Sequence, residues 1–92
     1  MEEHVQAATE LRRGTYSNVA IIRHMENEFV FDFGLVVQDR HLLVSRVILS
    51  PDHVKRLHAA LGINLEKFEE AYGKIQIKDN APKKAVPDAV AE

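Results

Sequence analysis

The sequence predicts an α+β domain, in which an antiparallel three-stranded meander precedes one long amphipathic helix packed on one sheet face. Three observations carry this. Apolar residues at Val54, Leu57, Leu61, Leu65, Phe68 and Tyr72 recur in steps of three and four, a mean period of 3.6. Two runs rich in β-branched and aromatic residues, Val19–Ile22 and Phe29–Phe33, lie either side of a short polar link. A third run, His41–Leu49, is long and apolar enough to be the main strand. Residues 74–78 alternate as Lys-Ile-Gln-Ile-Lys and offer a short fourth edge strand, where flanking lysines discourage stray pairing.

In chain order, residues 1–15 read as a flexible N-terminal segment, 16–78 as the β-β-β-α domain and 79–92 as a disordered tail. Val5, Ala8 and Leu11 give the first segment only a thin helical stripe, and Gly14-Thr15 interrupts it. In the second strand Phe29, Phe31 and Phe33 share one face, and Val30 and Asp32 point the other way. The third strand does not alternate: Leu43, Ser45, Val47 and Leu49 fall on one side, and Leu42, Val44, Arg46 and Ile48 on the other. A sheet with one wet side should alternate. One helix covers one face, so Val30, Leu42, Val44 and Ile48 are expected to form a second apolar surface that calls for a partner. The helix carries its own limits: Ser50 as N-cap, Pro51 at the first helical position and Gly73 as C-cap. Gly62 lies inside the periodic run, permitting either a bend or a helix–turn–helix break at 62–64. The tail has two prolines and no aromatic residue.

Composition narrows the function. With 92 residues the core is small, and with no cysteine it has neither disulfide reinforcement nor a thiolate metal site. That usage fits a cytoplasmic setting. No apolar run approaches membrane-spanning length, and the first residues lack the apolar core of a secretory signal. The net charge of −2 is spread along the chain without a dense basic cluster, which argues against nucleic acid as a partner.

Residues capable of chemistry do not assemble into a set. His53 and His58 are five apart, not the four-apart spacing of a zinc helix; nothing in the spacing requires His24 and His41 to meet at a sheet end with Asp39 or Glu26, and structural or solvated histidines are the favoured reading. Ser17, Ser45 and Ser50 lie in no nucleophile elbow, and four scattered glycines build no phosphate loop. No catalytic, metal or cofactor residue is assigned. Asp32, between two phenylalanines, is expected to form a buried ion pair with Arg46, with Arg23 as the other candidate partner.

Tyr16-Ser17-Asn18, Glu28-Phe29 with Asp32-Phe33-Gly34, Arg46 to Leu57 and Leu65 to Gly73 together resemble a small prokaryotic domain-of-unknown-function family. The resemblance covers residues 16–73 and rests on order and spacing, since no single motif is specific. It implies a small α+β domain without an established activity. Genes of some relatives lie near those of the RNA polymerase large subunits, which implies a transcription-associated partner. Gly62-Ile63 departs from the family pattern of polar helix formers. The function expected is a non-enzymatic homodimeric module that binds another protein. A transcription-associated or nucleic-acid-binding accessory protein, or a small metal-dependent protein, is the alternative.

Overall fold

A computed structural model describes residues 13–78 and 89–91. The elements run β1 (Val19–His24), β2 (Phe29–Val37), β3 (Arg40–Leu49), α1 (Pro51–Tyr72) and β4 (Ala89–Ala91). The three-stranded antiparallel sheet followed by one helix is the α+β architecture expected from the sequence. β1 and β2 join through Met25–Glu28, where the Met25 amide donates to the Glu28 carbonyl at 2.9 Å. β2 and β3 join through Gln38-Asp39, with Gln38 in the left-handed region at φ 54°. Two-residue hairpin links favour such a conformation because it matches the strand twist.

The sheet order is β3-β2-β1-β4. The fourth strand is not the alternating 74–78 segment, which is not a strand. It is Ala89–Ala91, inside the segment expected to be a disordered tail, pairing antiparallel with Ala20–Ile22. Residues 79–88 and the proposed N-terminal stripe at Val5, Ala8 and Leu11 lie outside the described residues.

Register divides the side chains between two faces. Phe29, Phe31 and Phe33 pair with Leu49, Val47 and Ser45 on one strand, and with His24, Ile22 and Ala20 on the other. Val30 and Asp32 pair with Ile48 and Arg46, and with Arg23 and Ile21. At Phe33/Gly34 the register slips by one, leaving Val44 as the extra residue of a β-bulge. Beyond it, Leu42 pairs with Leu35 and so joins the phenylalanine side. The surface expected from Val30, Leu42, Val44 and Ile48 is therefore split. Val30 and Ile48 face one way, Leu42 falls opposite, and Val44 lines a trough with Phe33 and Val47. A one-residue insertion reverses side-chain phase, and simple alternation cannot show where it occurs.

α1 is one continuous helix of 22 residues, so Gly62 does not break it. Ser50 Oγ accepts from the His53 amide at 3.2 Å, Pro51 occupies the first turn, and Asp52 complements the positive helix end. Gly73 ends it at φ 95°, its amide donating to the Glu69 carbonyl at 2.9 Å. The expected packing of this helix on its own sheet is not found. None of its residues is buried: Leu57, Leu61, Leu65, Phe68 and Tyr72 stay 42, 55, 44, 48 and 78% exposed. The cause is the connection. Ser50 alone separates β3 from α1, and one residue spans at most about 3.5 Å. Seating a helix some 10 Å thick over the strand it leaves needs a longer climb and a reversal.

Candidate interaction surface

The best-buried side chains lie at the middle of β2. Val30 is 5% exposed and Asp32 8%. A carboxylate so placed needs partners: β3 supplies Arg46 from the paired position beside it, and β1 supplies Arg23, paired with Val30, from the diagonal position on the same face. Arg46 donates through Nε to Oδ1 and through Nη2 to Oδ2, at 2.5 and 2.9 Å. Arg23 Nη2 donates to Oδ2 at 2.8 Å. The hydrogen bond from Arg46 holds the Asp32 carboxyl below its ordinary range; burial opposes this, and the charge of Arg23 adds to the lowering. Reciprocally, the hydrogen bond to Asp32 raises Arg46. The two arginine side chains themselves stay part exposed, at 39 and 50%. With both carboxylate oxygens engaged, this trio ties three strands together.

The start of β1 is held by side chains rather than by further strand pairing. Ser17 Oγ donates to the Gly34 carbonyl at 2.8 Å, a carbonyl that also accepts from the Asn18 amide at 3.1 Å. The Asn18 carboxamide donates from Nδ2 to the Val36 carbonyl at 3.0 Å and accepts from the Val36 amide at 2.8 Å. Both residues grip β2 across from the bulge. Gly34 is there for space: a Cβ on it would lie 2.9 Å from Val19 Cγ1 and 3.2 Å from the Leu42 carbonyl oxygen. The Tyr-Ser-Asn run was visible in the sequence, but its clamp depends on where β2 passes, which spacing alone does not give.

The histidines do not converge. His24 pairs opposite Phe29, the two rings tilted with centres 5.7 Å apart, and His41 pairs opposite Val36. Those β2 positions are seven residues apart, roughly 24 Å in a strand, so the two histidines do not meet at one sheet end. His53 and His58 are exposed on α1. Among the described residues, no three histidine or carboxylate side chains come together to hold a metal ion.

Much apolar side-chain surface also remains exposed. On the phenylalanine side a trough of about 730 Å³ is lined by Ala20, Phe33, Val44 and Val47, with Thr15 to Val19 along its rim. Phe31 and Phe33 stack at 6.3 Å beside it. On the Asp32 side a smaller hollow of about 270 Å³ lies among Ile21, Gly34, Val36 and Leu43. The stripe of α1 is the third apolar surface, with Phe68 and Tyr72 rings 5.0 Å apart at its end. Among the described residues, no helix is long and apolar enough to cross a membrane.

An antiparallel sheet whose first three strands lead into an undocked helix defines a small α+β domain that displays apolar surface. Residues 2–77 match the family described as Protein of unknown function (DUF3467), and the chain belongs to that family. No curated protein and no solved structure matches it.

Proposed function

We propose that this chain is a non-enzymatic module that pairs with a second copy of itself and, once paired, docks another protein. The observation that carries the reading is the exposed stripe of α1. Five large apolar side chains on one helix face stand in water although the chain contains an apolar sheet face to match them. Full burial of such a side chain from water is worth roughly 1.5–3 kcal/mol. Most of these are already half covered, so each gains about half of that before the cost of ordering, and a chain that leaves them exposed is driven to associate. Two-fold pairs are the commonest arrangement by which soluble proteins cover such surfaces. After pairing, Ile21, Leu43 and Ile48 on the Asp32 side still offer exposed apolar contacts for a different protein. The reading places the protein in the cytoplasm, a setting that suits a chain with no cysteine.

Sedimentation over a hundredfold concentration range tests the pairing. The expected result is a dimer that dissociates on dilution, and a monomer for Leu61→Asp with unchanged strand content. A wild-type chain that is monomeric at every concentration would count decisively against this reading.

A further inference from the structure

Resting on the pairing just proposed, we infer that the two copies exchange helices: α1 of each chain lies along the phenylalanine side of the other chain's sheet. Three features favour a second copy as the occupant of that side. The first is the connection. Ser50, extended at φ −68° and ψ 154° and followed by Pro51, sends α1 away from the strand it leaves. The stripe accordingly does not lie on its own sheet and stays exposed to a neighbour's.

The second is that both halves of the contact are present in one chain. The trough around Phe33, Val44 and Val47 is apolar, whereas the opposite face carries the Asp32, Arg23 and Arg46 charges. An apolar helix stripe fits the former and would strand those charges on the latter. A two-fold axis then satisfies both troughs and both stripes at once, with no surface left to propagate a chain of molecules.

The third is dimension. A 22-residue helix is roughly 33 Å long and a 10-residue strand roughly 34 Å, so α1 can run the length of a partner's β3.

The lack of native cysteine makes a direct test possible. Val47 on the phenylalanine side and Leu61 at the middle of the stripe are both exposed in the single chain, and cysteine keeps a small apolar side chain at each. A tagged full-length chain with Val47→Cys is mixed, unfolded and refolded with an untagged chain carrying Leu61→Cys, then treated with a short bismaleimide. Exchange predicts a tagged–untagged product involving about half of the chains, the statistical share of mixed dimers. It also predicts that one chain bearing both cysteines gives linked dimers rather than an internally linked monomer. Dimers by sedimentation without the mixed product would overturn the exchange and leave the pairing intact. An internally linked monomer from the doubly substituted chain would show the helix folding back, and would also overturn the exchange. A chain that sediments as a monomer throughout removes the pairing itself, so the two failures are told apart.

Discussion

The Asn18 carboxamide and the Val36 peptide bond each other in both directions, Nδ2 to carbonyl at 3.0 Å and amide to Oδ1 at 2.8 Å. A side chain thus reproduces the donor and acceptor of one strand residue just before β1 begins. Only an amide has that pair in this geometry. Asn18→Ala is expected to lower stability by about 1–2 kcal/mol. Asn18→Asp should cost more at neutral pH than at pH 3, because an ionised carboxylate faces the Val36 carbonyl with no proton to donate. Urea titrations of both variants, at fixed protein concentration, measure this.

Gly34 is a question of space. Gly34→Ala is expected to cost about 1–3 kcal/mol, the range for forcing atoms into a packed site. Its new Cβ would meet Val19 Cγ1 at 2.9 Å and a backbone oxygen at 3.2 Å. Adding Val19→Ala removes the first contact but not the second. The double variant should recover part of the loss and not all of it, as a thermodynamic cycle on urea midpoints will show.

Asp32 gives the fold an acid limit. Its carboxyl is held below the ordinary 3.8 by Arg46 and Arg23, so the folded state binds the proton less readily than the unfolded chain. Stability from the trio is therefore complete above that ordinary value and is lost as pH falls below it, through the lowered value of the folded state. Asp32→Asn is expected to be less stable than wild type at pH 7. Between about pH 2 and 4.5 it should lose less further stability, and the two curves should converge. An unchanged acid slope in the variant would contradict the assignment.

Helix α1 provides a pair of opposite expectations. No atom lies within 4 Å of a Cβ built on Gly62. Gly62→Ala should therefore stabilise by about 1 kcal/mol through helix propensity. Ser50→Ala removes the hydroxyl that accepts from His53 and should destabilise by about 1 kcal/mol. Thermal unfolding followed by circular dichroism at 222 nm reads both. The ion pair of Arg56 with Asp52, at 3.1 Å and largely in water, is expected to contribute little: Arg56→Ala should change stability by less than about 1 kcal/mol.

Much of the fold was legible because it is local. The period of 3.6 from Val54 to Tyr72 and the Ser50-Pro51 and Gly73 limits specify α1 without reference to anything else. Phe29, Phe31 and Phe33 share a side because backbone pleating allows no alternative. Asp32, an acid among phenylalanines, had to find a cation, and both candidate arginines reach it. The misread strand is instructive. The alternation of His41–Leu49 is interrupted because Val44 is an extra residue. With the bulge in place, Leu42, Ser45, Val47 and Leu49 fall on the phenylalanine side, and His41, Leu43, Arg46 and Ile48 on the other.

By itself, then, the sequence determined the first three strands and the helix, where the helix begins and ends, and which phenylalanines stand together; each follows from a chain's short-range geometry. Tertiary structure decided the bulge at Val44, the Ser17–Asn18 grip on β2, the choice of Ala89–Ala91 as the edge strand, and the exposure of α1. Those depend on which residues of distant segments come opposite one another, and on whether a one-residue link leaves room for a helix to turn back. Neither is a property of any segment alone.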